Sequence, residues 1–390
     1  MKVAIFSESY LPYLNGVSVS IRILHEELAR RGHEVWIYAP HYRGYQDPYP
    51  KVRRLPSVYT PFEPDYPIAL PLAPALWREF RTLGIDIVHT HTPFFTGIVG
   101  ARWARRLRIP LVSTYHTLYE EYLHYVPRVV PRAPVRWLLR WHLRRYYMGV
   151  DAVMTPSEIG AEVLRRYGVR KPITPIRNPV LPFPEVSKAE ARARLGIPDD
   201  VWMLLYVGRL APEKNVSVLL KAMPHIVRGC PNARLWLVGP GPALDALRAE
   251  AEANQLTQWV QFTGPVPRDE VSLYLLAADL FVFPSVTESQ GLVLDEAQAA
   301  GLPCIVANGG GAPEAVDYGQ TGLVVEPTPE AFVEAVLHLT RDEAARETLR
   351  QRAIRKRETL SVPAVIDRVL QVYESARQMA GSPATVSATE

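Results

Sequence analysis

The sequence predicts an α/β protein of two doubly wound, Rossmann-like domains facing each other across a cleft. Short apolar runs alternate with helix-periodic segments along most of the chain; one proline-rich stretch interrupts them; afterwards the rhythm returns with a different sequence. Strands alternating with helices imply right-handed βαβ units and a parallel sheet. A chain of 390 residues also exceeds what one hydrophobic core ordinarily organises.

In the first half the apolar runs are Val3–Ser7, Glu34–Pro40, Asp86–His91, Pro110–His116 and Ala152–Ser157. Ser18–Arg31 and Gly97–Leu107 have helical spacing between them, and Gly32 sits where a helix C′ residue belongs. Residues 172–184, PITPIRNPVLPFP, hold five prolines, too many for a helix or a central strand, and read as a linker. The second half repeats the pattern with runs Trp202–Arg209, Arg234–Gly241, Val260–Val266, Leu280–Ser285, Pro303–Asn308 and Gly322–Glu326. Its helices are expected over Val216–Val227, Ala243–Ala253 and Asp269–Ala278. The expected division is a first domain over 1–171, a linker over 172–187 and a second domain over 188–363. A helix over 364–379 would pack back on the first domain, ahead of a frayed tail over 380–390. Ligands of such sheets bind beyond the carboxyl ends of the strands, here in the cleft.

Composition narrows the class. An apolar content of 48% with 22% charged residues is that of a globular chain. MKVAIFSESYLP does not read as a signal peptide, and no run approaches a membrane span, so a cytoplasmic protein is expected. Cys230 and Cys304 read as two thiols without metal-ligand spacing, although a disulfide is not excluded. The net charge of +4 divides unevenly: residues 1–180 carry 25 Lys and Arg against 14 Asp and Glu, the remainder 19 against 26. A basic first half suggests that it faces something anionic.

The strongest chemical signal is FPSVTESQGLVLDEAQAAG, residues 283–301. A strand ends near Phe283, a polar loop follows, and a helix begins at Leu292. The free N–H groups and positive dipole end of such a helix favour an anion, and Gly291 lets a phosphate approach the backbone. Glu288 and Glu296 stand on either side of that helix start, with seven residues between them; carboxylates there suit a hydroxyl-rich ligand. A cap residue and a solvated helix position are the plain alternatives. VGRLAPEKN, 207–215, adds Arg209 and Lys214 on a loop at a strand's carboxyl end, where two cations can neutralise a diphosphate.

With these residues together, the chain resembles the retaining glycosyltransferases of the glycogen-synthase-like superfamily, glycosyltransferase family 4. FSESYLPYLNGVSVSI, STYHTLYEEY, DAVMTPSEIGAEVL, LVGPGP, GGGAPEAV and TGLVVEP fit that pattern, and the opening motif is similar to the diacylglycerol glucosyltransferase and sulfoquinovosyltransferase branch. The resemblance implies a GT-B fold, a retaining hexosyl transfer from a nucleotide diphosphate sugar such as a UDP-sugar, and neither cofactor nor metal. It further implies that Glu288 meets donor-sugar hydroxyls and Glu296 the ribose. Arg209 and Lys214 would hold the diphosphate with the backbone of Gly291, Leu292 and Val293, and Val266 would lie against the base. His116 would lie near the donor sugar and acceptor. Asn15 and Gly16 would shape the acceptor side and approach the donor phosphates. Without the resemblance, a lone histidine at a strand end such as His116 is more often structural, Asn15-Gly16 reads as a tight turn, and Glu8 reads as an acceptor-site carboxylate or a helix cap.

Metal readings find little support. His89 and His91 share one strand face without a third ligand nearby in sequence, and HExxH, CxxC and Asp-x-Asp are absent. The acceptor side offers RAPVRWLLRWHLRRYYMG, 132–149, where Val135, Leu139, His142, Leu143 and Tyr146 fall on one helical face. Arg132, Arg136, Arg140 and Arg144 form a ladder flanked by Trp137 and Trp141, to which ARWARRLR at 101–108 could add. Such a helix suits an anionic membrane surface, peripheral at the inner face of the cell membrane; a core-packed helix with a solvated arginine face fits equally. The resulting function is hexose transfer to a membrane lipid such as diacylglycerol. The alternatives are the same transfer to a soluble sugar, sugar phosphate or glycan, and a catalytically silent nucleotide-sugar or glycan binder. No nucleic-acid module is visible, and the oligomeric state is not encoded legibly.

Overall fold

The computed structural model describes residues 1–13, 15–60, 63–125 and 130–381. They form two compact units: Met1–Pro179 with the chain from Val362 onward, and Val180–Ser361.

The first unit begins β1 (Lys2–Phe6), α1 (Gly16–Arg30), β2 (Glu34–Pro40), β3 (Val52–Leu55), β4 (Ser57–Thr60), β5 (Glu63–Ala69) and α2 (Pro74–Phe80). It continues β6 (Ile87–Thr90), α3 (Phe95–Leu107), β7 (Leu111–Thr114), α4 (Arg132–Tyr147), β8 (Ala152–Thr155), α5 (Glu158–Arg166) and β9 (Ile173–Pro175). Seven strands make one parallel sheet in the order β3-β2-β1-β6-β7-β8-β9, while β4 and β5 form a separate antiparallel pair. Every residue of β6, β7 and β8 is buried, because helices cover both faces, so these strands read as unbroken apolar runs. The pleat still sorts β1 in two directions. Ala4 and Phe6 enter a core with Tyr38, Phe80 and Trp103, whereas Val3 and Ile5 meet Ile21, Leu28 and Tyr373 on the other face. Phe6 stacks on Tyr38 at 4.5 Å between ring centroids, with Phe80 and Trp103 edge-on to it at 6.0 and 5.7 Å.

The second unit runs α6 (Lys188–Leu195), β10 (Trp202–Val207), α7 (Ser217–Gly229), β11 (Ala233–Val238), α8 (Leu244–Ala253), β12 (Val260–Gly264) and α9 (Arg268–Ala277). After these come β13 (Leu280–Phe283), α10 (Leu292–Ala299), β14 (Cys304–Ala307), α11 (Ala312–Ala315), β15 (Gly322–Val325), α12 (Pro329–Arg341) and α13 (Glu343–Lys356). Its sheet is parallel, in the order β12-β11-β10-β13-β14-β15. A last helix, α14 (Val362–Gly381), belongs to the first unit, where Val365, Ile366, Val369 and Tyr373 join the core behind β1.

Three differences from the sequence reading have physical causes. The proline-rich stretch is not all linker: Ile173–Pro175 pairs with β8 as the last strand, an edge that tolerates proline because one side of its backbone needs no ladder partner. The chain instead passes between units at 179/180 and again at 361/362. Residues 52–69 contain β3 and the β4–β5 pair, which prolines at 56, 61, 64 and 67 conceal from periodicity. Finally, α14 continues through Gly381, and 382–390 of the expected tail lie outside the described residues.

Candidate functional site

In both sheets the chain winds outward in two directions from a central pair of strands, and the crevice beyond that pair's carboxyl ends is where such sheets bind ligands. In the second unit the pair is β10 and β13. The loop after β10 carries Arg209 and a 3-10 turn over Pro212–Lys214, and the loop after β13 carries Glu288. These loops meet at the switch point. Lys214 Nζ donates to Glu288 Oε1 at 2.7 Å, and Ser285 Oγ donates to the same oxygen at 3.1 Å. Thr287 Oγ1 reaches the Glu213 carbonyl at 3.4 Å, tying the backbones together. Arg209 is exposed at the same end, its carbonyl accepting from the buried Tyr206 hydroxyl at 3.2 Å. Burial, with the nearby carboxylates of Glu288 and Glu213, pushes that phenol well above its ordinary range and keeps it a donor.

Gly291 is the N-cap of α10, at φ +72°, and no side chain caps the helix start. A left-handed residue there points no Cβ over the first N–H groups, so those of Leu292 and Val293 stay open to an anion. Glu296 is buried one turn on. Val266 is half-buried beyond β12, two strands from β10. Two supporting contacts escaped the sequence reading, which noted the glycines of GGGAPEAV only as part of a family pattern. Gln290 Nε2 donates to the buried Asp295 carboxylate at 2.7 Å, fastening the Glu288 loop to α10. The glycines at 309–311 lie directly beneath that loop: the Gly311 N–H donates to the Glu288 carbonyl at 2.7 Å, and a Cβ at Gly311 would stand 2.4 Å from the Ser289 carbonyl oxygen. Because that obstacle is backbone, Gly311→Ala is expected to displace Glu288, lowering kcat/KM by about tenfold or more and lowering Tm as well. Unchanged kinetics in the variant would separate the triplet from the site.

In the first unit the central pair is β1 and β6. Asn15 is a helix cap rather than a free turn: its Oδ1 accepts from Ser18 N–H at 2.8 Å, its backbone N–H donates to Ser18 Oγ at 2.8 Å, and its Nδ2 donates to Ser9 Oγ at 2.9 Å. Gly16 opens α1 with no heavy atom within 4 Å of where a Cβ would stand. Glu8 serves the start of α3, accepting from Thr96 N–H at 3.3 Å and from Thr92 Oγ1 at 3.2 Å; burial nevertheless lifts its carboxyl to about 7.

His116 lies two residues beyond β7, buried, and His91 lies just beyond β6. His91 Nδ1 and His116 Nε2 are 2.8 Å apart, so the third histidine that sequence spacing failed to supply is in fact adjacent. That distance is a hydrogen bond, with no room for an ion between the nitrogens. Among the described residues no three His, Cys, Asp or Glu side chains converge to hold a metal. His89 is held by the Tyr373 hydroxyl and by Thr114 Oγ1, each at 2.7 Å. Burial lowers all three imidazoles, His89 to about 3, His116 to about 4 and His91 well below its ordinary range.

Helix α4 buries Leu143, Tyr146 and Tyr147 and half-buries Val135, Leu139 and His142. Its other side exposes Trp137 (67%), Leu138 (55%) and Trp141 (47%) beside the arginines. Arg136 and Arg140 share Glu120, at 3.6 and 2.5 Å, the Arg145 guanidinium covers Trp141, and Arg144 borders Gly168. In 101–108, Trp103 belongs to the aromatic core and not to this surface. No described helix is long and apolar enough to cross a membrane.

Two family models divide the chain: Glycosyltransferase Family 4 matches residues 14–181 and Glycosyl transferases group 1 matches 187–356. The chain is 33% identical over 329 residues to an alpha-monoglucosyldiacylglycerol synthase of Streptococcus pneumoniae, spanning 79% of this chain and 71% of the relative. It is 31% identical over 367 residues to the Acholeplasma laidlawii enzyme of the same name, at 90% and 92% coverage. A D-inositol 3-phosphate glycosyltransferase of Thermomonospora curvata is 33% identical over 328 residues, at 78% and 73%. Among solved structures, sucrose-phosphate synthase from Thermosynechococcus elongatus superposes with a TM-score of 0.80 at 24% identity, covering 98% and 99% of the chains. Anabaena HepE in complex with UDP gives 0.75 at 19%, covering 96% and 100%.

Proposed function

The chain belongs to the glycosyltransferases of group 1 and family 4, with the GT-B fold, and on that premise we propose that it transfers a hexose from a UDP-sugar to a membrane lipid such as diacylglycerol, with retention and without a metal. The observation that carries this reading is the Lys214–Glu288 pair spanning the second unit's switch point beside the open start of α10. Lys214, Arg209 and the N–H groups of Gly291, Leu292 and Val293 supply positive charge for a diphosphate, which stabilises the leaving group as its bond to the sugar breaks. Glu288 then accepts from donor-sugar hydroxyls, Glu296 from the ribose, and Val266 packs on the base. The acceptor oxygen bonds to the anomeric carbon on the face the diphosphate leaves, and its proton passes to a departing phosphate oxygen. His116, Asn15 and Gly16 line the sugar and acceptor side.

The lipid acceptor is supported by the diacylglycerol named in two relatives and by the exposed Trp137, Leu138 and Trp141 among arginines on α4. Tryptophans at a polar–apolar boundary beside basic side chains fit a peripheral site on an anionic leaflet. Each arginine near such a surface contributes about 1 kcal/mol, so reversing Arg136, Arg140 and Arg144 to Glu is expected to lower vesicle affinity about a hundredfold or more. Because Arg136 and Arg140 also pair with Glu120, Trp137→Ser with Trp141→Ser provides a second variant free of that partner. Flotation on anionic and neutral vesicles reads both. Wild-type protein that ignores anionic vesicles, or that glucosylates an inositol phosphate and not diacylglycerol, would end the lipid reading and favour a soluble acceptor.

A further inference from the structure

The reading of His116 as a group facing the donor sugar leaves unanswered which of its two nitrogens carries the proton. His91 bears on this. Its ring lies between two others, 4.0 Å between centroids from His89 and 5.1 Å from His116, the latter stacked at 16°. His89 cannot yield readily, since the Tyr373 hydroxyl of α14 and Thr114 Oγ1 hold its two nitrogens. His91 therefore keeps its Nδ1 on His116 Nε2 at 2.8 Å. Its own Nε2 is buried and has no hydrogen-bond partner.

A bond between two neutral imidazoles needs one N–H and one lone pair, so the tautomers of the pair are locked together. If His116 donated, His91 would carry its proton on Nε2, a buried N–H without an acceptor, and orphaned donors are the rarer defect in folded proteins. We infer that His91 is a positioning residue for His116: it donates from Nδ1 to His116 Nε2, holds the ring flat, and fixes His116 as the Nδ1–H tautomer, which presents a hydrogen-bond donor toward a sugar hydroxyl oxygen. His116 Nδ1 makes no hydrogen bond to the described residues, and the ring lines a small pocket with His89, His91, Ser20 and Asn178. The pocket, of about 40 Å³, is bounded on one side by Val365, Ile366 and Val369 of α14. The helix that returns from the second unit thus forms one wall of this pocket.

The inference rests on the proposed role of His116, and the experiment separates the two. Nitrogen-15 NMR of the full-length, 15N-histidine-labelled protein at pH 7.5 reads the tautomer without turnover. Wild-type His116 is expected as Nδ1–H. His91→Asn, whose amide N–H occupies the Nδ1 position, is expected to keep that tautomer and stay within about threefold of wild-type kcat/KM, because one neutral hydrogen bond is retained. His91→Leu is expected to release His116 toward Nε2–H, the form free side chains favour in water, with about a tenfold loss in kcat/KM. Wild-type His116 found as Nε2–H, or a tautomer indifferent to His91→Leu, overturns the inference. If the tautomer follows His91 while His116→Ala transfers sugar normally, it is the role of His116 that fails and not the placement of its proton.

Discussion

Lys214→Met is expected to reduce kcat/KM for sugar transfer by about 10² to 10³-fold, the usual loss when one preorganised charge is taken from a developing anion. In the free protein the Lys214 ammonium is held by Glu288 at 2.7 Å with both side chains largely withdrawn from water. Removing the cation leaves Glu288 facing the diphosphate as a second negative charge, so binding and leaving-group stabilisation are lost together. Glu288→Gln is the complementary test. The amide oxygen still accepts from Lys214 and Ser285, so the loop persists while the charge disappears, and the loss should fall on kcat more than on KM. Lys214→Met should also lower Tm, because it leaves the withdrawn Glu288 carboxylate without its cation, whereas Glu288→Gln keeps the Lys214 and Ser285 contacts and should lower it less. A Lys214→Met enzyme with ordinary kinetics would remove the diphosphate from this crevice.

Acidification should destabilise the first unit steeply between pH 6.5 and 4. Unfolded histidines titrate near 6.5, but in the folded chain burial holds His116 at about 4, His89 at about 3 and His91 well below its ordinary range. The unfolded chain therefore binds protons in this window that the folded one refuses, and stability falls with pH. Glu8 works in the opposite direction. Its folded value of about 7 lies above its unfolded 4.5, so it favours the folded state below pH 4.5 and loses that contribution as pH rises through 7. For these four groups together the difference near pH 5 is about two protons, or about 3 kcal/mol per pH unit. Urea unfolding from pH 7.5 to 5 measures it. Glu8→Gln should steepen the fall, and His116→Asn should make it shallower by about one proton. A stability that stays level from pH 6.5 to 5 would mean that these imidazoles are protonated or hydrated in the folded protein.

What the sequence revealed depended on how local each feature was. The strands at the sheet centres were legible because burial on both faces writes itself as unbroken runs such as those of β7 and β13. Gly291 and Glu288 were legible because strand, polar loop and helix start occur within ten residues. Contacts between distant segments left no periodic trace. Lys214 and Glu288 are 74 residues apart, and nothing in either motif states that one closes on the other. His89 and His91 looked like an incomplete metal pair because His116, 25 residues on from His91, reaches it only through the pairing of β6 with β7. The edge strand Ile173–Pro175 was hidden by the very prolines that confine it to an edge. On α4 the buried face matched its helical spacing, whereas the partnership of two ladder arginines with Glu120 depends on the turn before the helix.

The most direct test of the switch-point site is the thermal stability of wild type and Lys214→Met with UDP-glucose, GDP-mannose and ADP-glucose, each in excess EDTA. UDP-glucose is expected to raise the wild-type transition, since a ligand at a hundred times its Kd adds about 2.7 kcal/mol to the unit that binds it, and to leave the variant unmoved. Stabilisation that needs an added divalent cation, or an equal shift in Lys214→Met, would contradict a diphosphate held by Lys214 and the start of α10.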